Sequence, residues 1–110
     1  MPAEWKMHEA VWLAWPYDKT TFPNRMEKVE KVYCNIIKAL KNSEKIELLT
    51  LPTMKSHVEK ILKNNNVDLK QITFRLTDYA DVWIRDYGPI FLINNKEKKV
   101  GWIKAQYNAY

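Results

Sequence analysis

Ala10-Val11-Trp12-Leu13-Ala14-Trp15-Pro16 is a nearly continuous apolar run closed by proline. A strand with one wet face shows a polar residue at every second position, so a run without that alternation reads as a strand buried on both faces. It is therefore expected in the middle of a sheet. Trp12 and Trp15 read as packing residues, because a large indole contributes most by filling a core. His8, at the strand entrance, reads as a hydrogen-bonded structural residue rather than a ligand.

Downstream of this run the hydrophobic spacing changes. Thr21 is placed to cap a helix whose first turn carries Pro23, where a missing N–H costs nothing. Met26, Val29, Val32, Ile36 and Leu40 then recur every three or four residues, giving that helix an apolar face with Glu27 and Lys31 outside. Ile46-Glu47-Leu48-Leu49-Thr50-Leu51 is the next strand. Met54, Val58, Ile61 and Leu62 mark a second helix that ends at Asn64-Asn65-Asn66, and Ile72-Thr73-Phe74-Arg75-Leu76 is a third strand. Strand, helix, strand, helix, strand is an α/β order, which favours parallel pairing. Further on, Ile90-Phe91-Leu92-Ile93 and Val100-Gly101-Trp102-Ile103 flank a polar turn at residues 94–99, the pattern of a hairpin.

Composition narrows the function. The 110 residues suffice for one domain or one piece of a larger one, and 46% are hydrophobic, enough for a core. The formal charge is +5, but all except three of the eighteen basic residues are lysines scattered over the helices and the hairpin turn. A nucleic-acid reader more often clusters arginine or carries aromatic ribonucleoprotein motifs, so nucleic-acid binding is not expected. No basic leader precedes an apolar core at the amino terminus, and no apolar run reaches membrane-spanning length. The single cysteine, Cys34, cannot form an internal disulfide and fits a reducing compartment, so a cytoplasmic protein is expected. Cys34 lies inside the first helix without a positive neighbourhood and reads as a passive thiol. His57 reads as a surface residue of the second helix.

One stretch departs from this ordinary pattern. Asp81-Val82-Trp83-Ile84-Arg85-Asp86-Tyr87-Gly88-Pro89, with Asp78 just before it, gathers carboxylates around a tryptophan in a basic chain. A carboxylate beside an indole face suits a planar cation, since the carboxylate accepts guanidinium N–H groups and the ring attracts the cation's face. In a regular strand Trp83 and Asp86 would point to opposite faces; in a helical turn their spacing of three brings them to one side. A shared cation therefore requires this stretch to leave β geometry, and Gly88-Pro89 is consistent with a turn. The competing reading is a salt-bridge cluster in which Arg85 pairs with Asp78 or Asp81, Trp83 fills the core and Asp86 caps a turn. Spacing alone favours that second reading. On either, Arg85 repels a cationic ligand and is better suited to orienting the carboxylates.

Taken together, Trp5-(two residues)-His8-Glu9-Ala10-(one)-Trp12-Leu13-Ala14-Trp15-Pro16, Asp81-Val82-Trp83-Ile84-Arg85-Asp86-Tyr87-Gly88-Pro89 and Tyr107-Asn108-Ala109-Tyr110 resemble motifs of the agmatine deiminase family, also called the porphyromonas-type peptidylarginine deiminase family. The resemblance runs from the beginning to the end of the chain. It implies a hydrolase acting on a guanidine, most simply agmatine, and an α/β fold that forms the first units of a five-unit pentein propeller. Asp86 matches the family's guanidinium-binding aspartate, Trp83 a tryptophan lining the substrate site, and Asp81 a motif position that either supports the site or contacts substrate. No metal or organic cofactor is implied.

The resemblance also implies what this chain lacks. The family's nucleophilic cysteine lies near the end of a much longer chain, in a Gly-rich His-Cys context, with its histidine and further acidic residues also downstream; Cys34 does not match it. The aromatic ending at residues 105–110 likewise suggests that residues 1–110 are the front portion of a single longer domain. The chain is expected to supply substrate-holding residues without the reacting ones. The alternatives are a binding module without catalysis and a peptidylarginine deiminase. Open sheet edges in such a partial ring leave room for a homo-oligomer.

Overall fold

A computed structural model describes Ala3 and residues 5–104. The resemblance at Tyr107 to Tyr110 lies outside the described residues. Ten described segments follow one another, beginning with β1 (Ala10–Ala14), α1 (Met26–Ala39), β2 (Lys45–Thr50), α2 (Lys55–Asn64) and β3 (Ile72–Leu76). After β3 come a single helical turn, α3 (Ile84–Tyr87), and the strands β4 (Ile90–Asn94) and β5 (Lys99–Ile103); two short 3-10 turns flank α2. The described chain divides into two compact units, one of residues His8–Val82 and one containing the described residues of Met1–Met7 and of Trp83–Tyr110.

In the first unit the expected α/β order produces a parallel sheet, β1-β2-β3, with Leu13 opposite Leu48 and Leu48 opposite Phe74. β2, not β1, occupies the middle, which corrects the expectation drawn from the apolar run at Ala10. Ile46, Leu48 and Thr50 are wholly buried on β2, whereas Trp12 on β1 remains 42% exposed. The reason lies in the two faces. Helical crossovers between parallel strands of one sheet have one hand, so α1 and α2 cover the same face, and they pack there with Trp15, Ile46, Leu48 and Ile72. Alternation along the strands puts Trp12, Glu47 and Arg75 on the other face, where Glu47 accepts a 2.6 Å bond from the Arg75 Nε. Trp15 is the packing tryptophan, fully buried and edge-on to Tyr33 at 5.8 Å.

The first helix begins later than expected, beyond Pro23, and is rotated from the expected face. It starts at Met26 without any side-chain cap, so Thr21 is not its cap. Glu30, Cys34 and Ile37, at spacings of four and three, are the buried residues, while Val32 is 53% exposed and Ile36 is also exposed. Glu30 tolerates burial because the His57 Nε2, on α2, lies 2.8 Å from its Oε1. That contact also gives His57 a structural partner at a half-exposed position. His8, at the entrance to β1, stands 3.5 Å from the Glu44 carboxylate.

The second helix stops as its asparagines predict. Asn66 takes a positive φ of 56°, and the Val67 and Asn66 amides donate to the Leu62 and Lys63 carbonyls at 3.0 and 2.9 Å. This closing motif uses the left-handed conformation that asparagine accepts at little cost, and it returns the buried Val67 toward the core. Burying Leu62 and Ile37 fully stabilises the unit by roughly 1.5–3 kcal/mol each.

The second unit contains the expected hairpin. β4 and β5 pair antiparallel, Ile90 opposite Ile103 and Asn94 opposite Lys99, and the Asn94 side chain accepts from the Lys96 and Glu97 amides. Among the described residues no helix is long and apolar enough to cross a membrane.

Candidate functional site

Parallel strands deliver all three of their carboxyl ends to one edge of the sheet, the usual place for function in such folds. Two loops meet there, one leaving β1 and one leaving β3. The Trp15 amide donates to the Leu49 carbonyl at 3.0 Å and the Thr77 amide to the Thr50 carbonyl at 3.2 Å, which carries the pairing a step past the strands.

The loops are then tied by side chains. The Tyr17 hydroxyl lies 2.6 Å from the Tyr79 carbonyl and 2.7 Å from that of Ala80, and Tyr79 returns the exchange by donating to the Trp15 carbonyl at 2.7 Å. Their rings meet edge to face at 5.1 Å. Four residues beyond Tyr17, the Thr21 hydroxyl donates to the Asp81 Oδ2 at 2.8 Å, and the Val82 amide donates to the Asp81 Oδ1 at 2.7 Å. On the same loop Asp18 accepts from both the hydroxyl and the amide of Thr20 at 2.7 Å, and these bonds, the side-chain one foremost, hold its carboxyl below the usual range.

Burial, with nearby carboxylates adding to it, keeps the phenols here protonated. Burial pushes the Tyr33 phenol up to about 12, with the nearby Asp81 carboxylate adding to it. Tyr17 moves in the same direction, through burial first and then through Asp18, Asp81 and Asp78. A neutral phenol can donate, which is what the backbone carbonyls facing Tyr17 require.

The chain has left the sheet since Leu76, and beyond Val82 it winds into a turn. Ile84–Tyr87 form one helical turn, and the Asp86 amide donates to the Trp83 carbonyl at 3.0 Å. The three-residue spacing is thus wound rather than extended. Trp83 is 53% exposed, and the Asp86 side chain is exposed as well. Trp83 therefore does not fill a core. Asp86 lies within the turn, whose flanking residue Trp83 supplies no side-chain cap. Among the described residues no hydrogen bond or ion pair engages the Asp86 carboxylate.

The turn closes on Gly88, whose amide donates to the Ile84 carbonyl at 2.7 Å. Glycine is needed there for space rather than for a positive φ, since its φ is −75°. A Cβ at that position would stand 2.5 Å from the Ile84 carbonyl oxygen. The sequence left Tyr17 and Tyr79 without a role and gave Thr21 a different one, as a helix cap. Their partners lie 60 to 64 positions away, so no local pattern marks them.

Cys34 lies elsewhere, within the core under α1. Burial pushes its thiol up, opposed by Lys38 and reinforced by Glu30, which is the reverse of what a nucleophile needs. Among the described residues no three histidine, cysteine or acidic side chains gather as they would around a metal ion.

These features define an α/β protein in which a tryptophan and aspartate turn follows the loop after β3 in sequence. The chain belongs to the Porphyromonas-type peptidyl-arginine deiminase family, whose sequence profile matches residues 1–110. A Legionella pneumophila protein provisionally named an agmatine deiminase is 34% identical over 113 residues, covering all of this chain and 30% of that protein. The agmatine deiminase of Ectopseudomonas mendocina is 29% identical over 110 residues, covering all of this chain and 28% of the relative. Among solved structures, C. jejuni agmatine deiminase superposes with a TM-score of 0.73 at 24% identity, over 92% of this chain and 29% of that one, a likeness of fold. The chain thus spans about 30% of the length of the curated relatives it matches.

Proposed function

We propose that this chain is the substrate-holding front portion of an agmatine deiminase, a hydrolase of the guanidine C–N bond, and that residues 1–110 form the first units of a five-unit pentein propeller. The observation that supports the reading is the turn that follows Trp83: Ile84–Tyr87 are helical and the Asp86 amide donates to the Trp83 carbonyl, so the stretch is wound, as a cation shared by the exposed Trp83 and Asp86 would need. In this reading the Asp86 carboxylate accepts the guanidinium N–H groups in a fork while the exposed Trp83 ring faces the cation. Asp81 supports the site, since its two oxygens already hold Thr21 and Val82.

The chemistry belongs to residues outside this chain. A cysteine thiolate attacks the guanidinium carbon, ammonia leaves with a proton supplied by a histidine, and water then releases the ureido product from the amidino-thioether. Asp86 contributes by fixing the cation in line and by stabilising its charge as the carbon becomes tetrahedral. Agmatine would yield N-carbamoylputrescine and ammonia, a step toward putrescine in the cytoplasm, with no metal or organic cofactor.

The matched family is named for peptidyl-arginine, which makes that substrate the second reading. Incubating the full-length protein with agmatine and, separately, with an arginine-containing peptide distinguishes them. Ureido product and ammonia from agmatine alone support the first reading; product from the peptide alone replaces it with the second. Absence of product from both, with guanidinium binding retained, would leave a binding module instead of an enzyme.

A further inference from the structure

We propose that Thr21 is a positioning residue for the guanidinium-holding turn and acts through Asp81. The inference rests on the deiminase reading above and extends it to a residue that touches no substrate.

Thr21 sits in the loop after β1, where its hydroxyl would be expected to cap α1. It does not: α1 begins at Met26 without a side-chain cap, and the hydroxyl instead donates to the Asp81 Oδ2 at 2.8 Å, 60 residues downstream, in a partly buried position. The other oxygen, Oδ1, accepts the Val82 amide at 2.7 Å. Because the bonds use different oxygens, both form at once, and the ionised carboxylate becomes a two-point connector. One end is fixed to the β1 loop. The other fixes the last backbone amide before Trp83.

The same two loops are tied independently through the reciprocal Tyr17 and Tyr79 bonds, so residues 79–82 are held against residues 15–21 from several points. A guanidinium fork is sensitive to small displacements of its carboxylate, so the exit path of the chain toward Trp83 and Asp86 bears on how well they hold the cation. The Tyr pair orders the loops. Thr21, through Asp81, orders the residue from which the turn departs.

The test is steady-state kinetics of the full-length protein with agmatine, comparing Thr21→Val, which keeps the shape and removes the donor, with Thr21→Ser, which restores the donor. Thr20→Val, which removes the neighbouring hydroxyl bonded to Asp18, is the control for general loop damage. Because Asp86 is assigned both orientation of the cation and stabilisation of charge in the transition state, the expected result for Thr21→Val is a fall in kcat/KM of about tenfold. Thr21→Ser should return kcat/KM to the wild-type value, and Thr20→Val should leave it unchanged. An unchanged kcat/KM in Thr21→Val, or a loss that serine does not restore, would overturn the proposal.

If Thr21→Val does not fold, Thr21→Ala carries the same comparison. If the wild-type protein turns over no agmatine, the functional reading has failed by itself, and amide hydrogen exchange at Val82 then decides the tie. Exchange about tenfold faster in Thr21→Val supports it; unchanged exchange overturns it.

Discussion

Replacing Gly88 by alanine places a methyl carbon 2.5 Å from the Ile84 carbonyl oxygen, inside the 3.0 Å below which such contacts are essentially not found. The oxygen cannot retreat alone, because it belongs to the backbone of the turn and accepts the Gly88 amide at 2.7 Å. Relief requires the two segments to part by about half an ångström, which stretches that hydrogen bond or unwinds the turn. Loss of the bond costs about 1 kcal/mol and residual crowding brings the total to roughly 1–3 kcal/mol. The cost falls on the turn itself, so local opening should become about tenfold more frequent or greater. Amide hydrogen exchange followed by NMR should show that increase at position 88 and at Asp86, whose amide closes the same turn on Trp83. In the full-length protein, KM for agmatine should rise with it. Unchanged exchange at both amides would refute the account of why glycine stands here.

Two further predictions concern the sheet unit. His57→Ala leaves the nearly buried Glu30 carboxylate without its 2.8 Å partner and should lower unfolding stability by about 1–3 kcal/mol in urea titrations; a change below about 0.5 kcal/mol would mean that the contact contributes little. An ultraviolet titration should show the Tyr33 phenol ionising near about 12, where an unfolded tyrosine ionises near 10. Between those values the unfolded chain has lost protons that the folded chain keeps, so stability is unaffected up to pH of about 10 and falls as pH rises through about 12. Tyr33→Phe should remove its contribution to that slope.

Much of the architecture was legible because it is written in local spacing. β2, α2, β3 and the β4–β5 hairpin fall where hydrophobic periodicity and turn residues put them, and Asn66 ends α2 in the left-handed conformation that its side chain suits. The errors arise where the assembled fold, not local spacing, decides which face is buried. Val32 and Ile36 look like core positions, but α1 turns Cys34 and Ile37 inward, and Glu30 on that same face is met by His57 from α2. Trp12 sits in an apolar run, yet alternation turns it to the face that neither helix covers.

The candidate site divides in the same way. The need for a wound stretch between Trp83 and Asp86 followed from side-chain direction alone, and Ile84–Tyr87 are helical where a strand would have separated the two. Thr21 read as a helix cap because residues of its type commonly are, and only the fold brings Asp81 to it. Gly88 was expected to supply a turn through its freedom in φ; its actual requirement is clearance from Ile84, which a sequence does not display.

The central claim is that Asp86 holds the guanidinium group during turnover, and the most direct measurement is agmatine hydrolysis by the full-length protein carrying Asp86→Ala. Because the exposed Asp86 carboxylate is committed to no other described residue, its removal should leave the folded structure unchanged. The account predicts a loss of kcat/KM of at least about a thousandfold, the scale of removing a group that both orients the substrate and stabilises charge in the transition state. Activity within about tenfold of wild type, from a variant with an unchanged melting temperature, would contradict it.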